Sequence, residues 1–350
     1  MTAGFSIAIP VWNDREWLGG AIESVLGQTY PDWELVIGDN ASDVDLECLV
    51  RQYADPRIRY QRWPTHVGAS ENHNRTLSIC RKDWLLLLSA DDRFEPCCLS
   101  RIAQRIEQLA QSDTRLAMVI TACRRVDSNG HPTDILRGDY TSYRPLQFQT
   151  IPDGVYDSAT WMSVNAAPGI PPWMMGSVAL PRELVAEIGP FRPDMGLSHD
   201  LELVMRASAY GSVAYIDAPL FNYTVRGDSI TGQLIKRHIE SRSDMVEFGA
   251  AWLSALRAHE ARRNVSRHER ELISAAIARA FLHRALLQRR AINGGGLSAA
   301  LRDVMRAALS SPWTVVGSWR LFVALGALVA PSWLLDRLTM MGHRYGFVIV

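Results

Sequence analysis

The sequence predicts an α/β fold built on a mostly parallel sheet, and three observations predict it. Strand-like runs, FSIAIPV (5–11), WELVIG (33–38), IRYQRW (58–63) and WLLLL (84–88), alternate at short spacing with segments of helical periodicity. That alternation builds a doubly wound sheet with helices on both faces. The run Trp84–Leu88 is apolar at every position, as a strand buried on both faces must be, and it ends in Ser89-Ala90-Asp91-Asp92. Finally, the chain has 350 residues, 47% hydrophobic and 21% charged, which suits one large domain with an extension or two domains.

Each element has a local reason. Residues 5–11 read as a buried strand brought to an end by Pro10. In 14–26, Trp17, Leu18, Ala21, Ile22, Val25 and Leu26 share one helical face, and Gly27 stops it. After the strand 33–38, Ser42 is placed to cap a helix running to about Tyr53. The strand 58–63, a helix over 69–80 and the strand 84–88 follow. A helix over 96–110 and a strand over 116–121 complete this half. Asp127-Ser128-Asn129-Gly130-His131-Pro132 is a turn joining two strands. Residues 139–175 are irregular and rich in Pro, Trp and Met. A strand near 176–180 and a short helix near 181–188 come next. Leu201, Val204, Met205 and Ser208 then form a helical stripe, residues 213–225 read as two short strands, and the pattern is helical from 233 onward. The divisions are 1–232, with halves at about 1–124 and 125–232, and a helical C-terminal region, 233–350.

The net charge is zero but unevenly spread. Residues 233–350 carry 17 Lys+Arg against 8 Asp+Glu, leaving 20 and 29 of the chain's 37 and 37 for residues 1–232. An acidic front is thus joined to a basic back. Five cysteines, odd in number and without a CxxC pair, argue against a disulfide framework or zinc site and suit a reducing compartment. The N-terminus has no basic stretch followed by a long apolar one, so no signal peptide is read.

In sheets of this kind, ligands bind beyond the carboxyl ends of the strands. The pieces there are Pro10–Asp14, Asp39–Asp43 and Ser89–Asp92. Adjacent carboxylates repel and desolvate badly unless a cation joins them. Mg²⁺ or Mn²⁺, which bring substrate phosphates with them, are the natural candidates. The chain has no GxxxxGK[ST] loop and no GxGxxG after its first strand, so neither a P-loop nor a dinucleotide fingerprint is present.

FSIAIPVWND, AIESVLGQTYPDWELVIGDNASD and GASENHNRTLSICRKDWLLLLSADD together resemble the nucleotide-binding half of glycosyltransferase family 2, the inverting enzymes of the GT-A fold. GSVALPRELVAEIGPFRP, SHDLELVMRASAYG and FNYTVRGDSIT fit the second half, so the resemblance covers about residues 4–232. It implies that the Pro10–Asp14 loop, with Pro10, Trp12 and Asn13, covers the base of a nucleotide. Asp39 accepts from that base, uracil or thymine, and Asn74 shapes the cleft. Asp91 holds Mn²⁺ or Mg²⁺ bridging the diphosphate, with Asp92 beside it. Asp200 is the general base for the acceptor hydroxyl. Trp173 and Met175-Gly176-Ser177 line the acceptor side. Three positions depart from the family pattern. Ser89 replaces the first acid of Asp-x-Asp. His199 precedes the base where a Glu is common, and can titrate near neutral pH. Thr224-Val225-Arg226 replaces Arg-x-His, and Arg226 suits a diphosphate.

The implied partners are a nucleoside-diphosphate sugar and a saccharide or lipid-linked acceptor, in cell-surface polysaccharide or glycolipid assembly. Nucleic acid is not expected, because the basic tail has no recognisable motif. The uninterrupted apolar run 321–330 is too short to span a bilayer. The basic, Trp-containing stretch 262–335 fits peripheral membrane contact, a helix packed on the domain, or a dimer interface. The expected location is cytoplasmic, extending to the inner face of the plasma membrane. The alternatives are a non-catalytic nucleotide-sugar-binding partner subunit and a sugar nucleotidyltransferase.

Overall fold

The computed structural model describes residues 3–111, 115–136, 151–165, 173–227 and 296–311, with single residues 229, 267, 271, 274, 278 and 281. Its first half runs β1 (Phe5–Val11), α1 (Arg15–Leu26), β2 (Trp33–Asp39), α2 (Leu46–Val50), β3 (Ile58–Arg62), α3 (Ala69–Ser78), β4 (Trp84–Leu87), β5 (Arg93–Phe94) and α4 (Cys98–Leu109). Then come β6 (Leu116–Val126), β7 (Pro132–Leu136), β8 (Gly154–Tyr156), α5 (Ser158–Asn165), β9 (Val178–Pro181), α6 (Arg182–Ile188), α7 (His199–Ala207), β10 (Ser212–Thr224) and, later, α8 (Gly296–Ser310).

The strands form one mixed sheet in the order β3-β2-β1-β4-β9-β6-β10-β5, with β7 beside β6 and β8 beside β10. The first four are parallel, as the alternating pattern predicts. β9 is antiparallel to both β4 and β6, while β10 runs parallel to β6. Register sorts the side chains. Ile7, Ile9, Leu35, Ile37, Leu86 and Leu88 face α1, α2 and α4. Ala8, Val36, Leu85 and Leu87 face the opposite side, where α3, α6 and α7 pack. Every residue of Trp84–Leu88 is buried, which explains its unbroken apolar run. Each such buried aliphatic side chain contributes about 1.5–3 kcal/mol.

Several boundaries differ from the sequence reading, each for a physical reason. Pro10 does not end β1: the strand continues to Val11, with Pro10 opposite Gly38. Gly4 and Ala8 offer their carbonyls to β4, so Pro10 also faces that side. Pairing with β4 stops at Ala8, so no partner misses the N–H that proline lacks. Helix α2 is shorter than expected, because Asp45 rather than Ser42 caps it, accepting from Cys48 N–H at 2.9 Å. The two short strands expected over 213–225 are one strand, β10, whose register shifts around Ile216 and Pro219 absorb the break. The turn at 127–132 does join two strands: Asp127 accepts from the N–H groups of Asn129 and His131, and Gly130 takes φ 81°. α7 is buried all round rather than on one stripe, with Glu202 and Arg206 paired inside it at 2.9 Å.

The irregular stretch 139–175 falls partly outside the described residues. Its described parts hold β8 and α5, and a single 3-10 turn follows at Met175–Ser177. In the C-terminal region α8 is helical as expected, and Ala278, Phe281 and Ala307 are buried in the cluster that contains α7. The segment 312–335 lies outside the described residues. The five cysteines are free. No helix among the described residues is long and apolar enough to cross a membrane.

Gly176 tests this packing. A Cβ there would lie 2.2 Å from the ring of fully buried Phe221. Gly176→Ala is expected to lower stability by about 1–3 kcal/mol in urea denaturation. Gly154→Ala, whose Cβ meets nothing closer than 3.8 Å, is expected to stay within about 0.5 kcal/mol. Equal effects would show that the contact with Phe221 does not constrain the turn.

Candidate active site

The three loops singled out in the sequence meet at the carboxyl ends of β1, β2 and β4. Asn13 adopts φ 59°, which Asn tolerates better than most residues. In that conformation its N–H donates to Ser42 Oγ at 2.9 Å. Its side chain also accepts from Asp43 N–H at 2.7 Å. Ser42 therefore stitches two loops together instead of capping a helix. Trp12, half-exposed, lies with its ring 4.6 Å from that of His66. His66 and Val67 in turn contact Asn40, whose side chain both donates to and accepts from Val67.

Asp39, the last residue of β2, is fully buried. One carboxylate oxygen accepts from Ser42 N–H at 2.9 Å. The other accepts from Tyr60 O–H at 2.5 Å and lies 3.4 Å from Arg62 Nε. Burial, and then the charge of Asp39, push the Tyr60 phenol well above its ordinary range. Tyr60 and Arg62 escaped the sequence reading. The signal was the alternation of β3, whose last residues lie opposite Ile37, Gly38 and Asp39.

Asp91 and Asp92 point different ways. Asp92 is buried, accepts from Thr224 N–H at 2.8 Å, and takes the Ser89 hydroxyl. Burial and the neighbouring Asp91 raise its carboxyl well above the ordinary range. Asp91 faces Arg226, whose Nε lies 2.7 Å from Oδ2. The same guanidinium reaches Asp14 at 2.9 Å and sits 5.3 Å from the Trp17 ring centroid. Burial raises the Asp91 carboxyl and Arg226 pulls it back. Neither carboxylate caps α4, which begins after Cys97.

Among the described residues no cluster of three His, Cys, Asp or Glu side chains gathers around a metal position. Asp91 fits a hard divalent cation, because one carboxylate completed by phosphate oxygens and water is an ordinary Mg²⁺ donor set. Asp92 does not fit: its carboxylate is used on Thr224 and Ser89, which corrects the paired-carboxylate expectation.

A second group of residues joins α3 to the start of α7. His199 Nδ1 lies 2.7 Å from the Gly196 carbonyl and must donate to it. Its Nε2, 3.2 Å from His73 Nδ1, is then the acceptor. Burial, reinforced by His199, lowers the His73 imidazole to about 3. Asn74 donates to the Phe191 carbonyl at 2.8 Å and accepts from Phe191 N–H at 2.9 Å. Its amide is thus spent on the backbone, and its influence on the cleft runs through Phe191. Asp200 stands in the first turn of α7 and accepts from Leu201 N–H at 2.7 Å. Burial raises its carboxyl above the ordinary range, against the opposing pull of His199. Trp173 is a core residue with 3% exposure, not an open acceptor platform, and its indole N–H finds no acceptor among the described residues. Met174 and Met175 are only partly covered, and Ser177 is tied to Met174.

Residues 6–161 match the family model described as "Glycosyl transferase family 2". The match covers less than half of the chain. The matched stretch contains Asp39, Asn74, Asp91 and Asp92, while Asp200 and Arg226 lie beyond it. Among curated relatives, the chain is 24% identical over 221 residues to the uncharacterized protein MT1568 of Mycobacterium tuberculosis, covering 60% of this chain and 64% of that protein. It is 32% identical over 106 residues to the putative colanic acid biosynthesis glycosyl transferase WcaA of Escherichia coli, covering 30% and 38%. The chain thus spans less than two thirds of these relatives' length. Among solved structures, TarS 1-349 of S. aureus in complex with UDP-GlcNAc superposes with a TM-score of 0.65 at 13% identity, covering 99% of this chain and 93% of that one. The GT-A architecture is therefore shared.

The His73–His199 contact carries a pH prediction. His73 is neutral in the folded chain and protonated below about 6.5 when unfolded. The folded state then binds fewer protons, so stability is full above that pH and falls as pH drops toward 3. At pH 5.5 the loss from this one group is about 1 kcal/mol. His73→Asn, which keeps an N–H donor, is expected to shrink the difference in urea stability between pH 7.5 and 5.5 by that amount. An unchanged difference would mean that His73 is solvated enough to titrate normally.

Proposed function

We propose that this chain transfers a sugar from a nucleoside-diphosphate sugar, with uracil or thymine as base, to an acceptor hydroxyl, inverting the anomeric centre. The observation that carries the proposal is the placement of Asp39 and Asp91 at the carboxyl ends of β2 and β4, inside the stretch that matches the family 2 model, with Arg226, from beyond that stretch, paired to Asp91. In this reading the Trp12 loop and Asp39 receive the base. Asp91 holds Mn²⁺ or Mg²⁺, which when bound supplies positive charge to the diphosphate. Arg226 adds a guanidinium whose geometry suits phosphate.

Asp200 takes the proton of the acceptor hydroxyl as that oxygen bonds to the anomeric carbon. The carbon–phosphate oxygen bond breaks in the same step, and its electron pair leaves on the diphosphate. A carboxyl raised by burial accepts a proton at neutral pH more readily than an ordinary aspartate. His199 positions the start of α7 through Gly196 and His73. The acceptor is a saccharide or lipid-linked hydroxyl of a cell-surface polymer. Relatives named for colanic and teichuronic acid biosynthesis, and TarS structures in complex with UDP and with UDP-GlcNAc, support this class. Such an acceptor would be met at the inner membrane face, through the 262–335 segment.

Calorimetric titration with UDP, dTDP and GDP, each with Mn²⁺ and with EDTA, tests the donor. Metal-dependent binding of UDP or dTDP is expected, and binding of none of them would refute the reading. Asp200→Asn is expected to cut turnover by about 10²–10⁴ while leaving UDP affinity nearly unchanged. Full activity in that variant would remove Asp200 from the base role. A nucleotide-binding chain with no turnover on any acceptor would instead favour the partner-subunit alternative.

A further inference from the structure

We propose that Arg226 is a movable counter-ion that keeps the divalent cation out until a diphosphate arrives, making metal and nucleotide binding strongly cooperative. The inference rests on the donor reading above and goes beyond it, to the order in which the site fills. In this structure Arg226 stands against the carboxylate that would hold a cation. Its Nε is 2.7 Å from Asp91 Oδ2, a second nitrogen is 2.9 Å from Asp14 Oδ1, and the side chain is 12% exposed. A divalent cation approaching Asp91 therefore meets a carboxylate already neutralised and a positive charge within contact distance. Free Mg²⁺ and Mn²⁺ give up hydration water reluctantly, and one neutralised carboxylate offers little in exchange.

A diphosphate changes this balance. Its oxygens accept bidentate hydrogen bonds from a guanidinium better than a single carboxylate oxygen does, so Arg226 has reason to leave Asp91. Asp91 is then free, and the cation gains both the carboxylate and the phosphate oxygens. The backbone is built for a side-chain swing rather than a loop movement. Thr224 is pinned by its N–H to Asp92 and by its hydroxyl to the Asp91 carbonyl, and the Arg226 carbonyl accepts from Ser229. The Trp17 face remains beside the guanidinium as it moves. Binding of each ligand must strengthen the other by the same factor.

The test is Mn²⁺ binding followed by the electron paramagnetic resonance signal of the free ion, in the absence of turnover. Wild type, Arg226→Gln and Arg226→Lys are compared with and without UDP, with dTDP and GDP as further nucleotides. In the wild type, UDP is expected to tighten Mn²⁺ binding by about tenfold or more. Arg226→Gln is expected to bind Mn²⁺ alone about tenfold more tightly than the wild type, and to lose most of the nucleotide enhancement. Arg226→Lys keeps a positive charge and should exclude the lone metal as the wild type does. Arg226→Gln binding Mn²⁺ alone no better than the wild type, while both bind UDP with Mn²⁺, overturns the inference and leaves the donor reading standing. If the Gln variant is too unstable to assay, wild type alone decides: Mn²⁺ affinity equal with and without UDP overturns it. No binding of any of the three nucleotides by any of the three proteins overturns the donor reading and this inference together.

Discussion

The structure depends on how two adjacent carboxylates are held out of water at the tip of its central strand. Asp91 and Asp92 follow β4; burial raises both carboxyls, the charge of Asp91 raises Asp92 further, and that of Asp14 raises Asp91. Left alone, such a pair would open to solvent and pull the loop away from the sheet. The end of β10 prevents this. Thr224 gives Asp92 its N–H, the Thr224 hydroxyl binds the Asp91 carbonyl, and Arg226 answers the Asp91 charge. That requirement explains why β10 must run 13 residues without a true break, and why β5 pairs with it opposite Asn222 and Phe221. On the other side of β5, a Cβ on Gly20 would fall 2.1 Å from the Arg93 guanidinium. The first half of the chain supplies the acids and the last strand of the domain supplies what makes them tolerable.

A second tie works the same way on the other side of the sheet. α3 belongs to the nucleotide half, yet His73 and Asn74 on it are used on Phe191 and His199. The rings of His73, Phe191 and His199 stand within 5.2 Å of one another by centroid. The loop they hold is fastened from below by Arg206, which donates to the carbonyls of Gly189 and Pro190 while paired with Glu202. Removing either member of that buried pair would leave an uncompensated charge. The start of α7 is thus positioned by α3, so a change in α3 reaches Asp200 without touching it.

What the sequence showed and what it hid follow from where each residue finds its partner. Strands buried on both faces reveal themselves locally, which is why β1, β2 and β4 were legible from their apolar runs, whereas β3, at the sheet edge and only partly covered, has no such run. Acids at strand ends were legible for the same reason, since Asp39 and Asp91 stand where the sheet stops. Residues whose partners come from far along the chain were misjudged. Ser42 has the chemistry of a helix cap but spends its hydroxyl on Asn13, 29 residues away. Asn74 has the chemistry of a ligand contact but spends its amide 117 residues away. Trp173 has the size of an acceptor platform but fills the core. The β10 bulges were read as a break because Asp217, Ala218 and Pro219 signal a turn locally, whereas pairing with β6 on one side holds the strand together.

The departures from the family pattern belong to one arrangement. An acid at position 89 would place a third carboxylate near Asp92, which is already desolvated. Ser89 instead donates its hydroxyl to Asp92, so the change satisfies the inward carboxylate and removes no ligand from Asp91. With fewer acids at the site, one guanidinium serves both Asp91 and Asp14, and Arg226 stands where the resembled family often has a histidine. A histidine there would leave Asp91 and Asp14 uncompensated at neutral pH unless it were protonated, whereas arginine stays charged throughout. Ser89 and Arg226 therefore make sense as a pair: one limits the negative charge at the site, and the other offsets part of what is left.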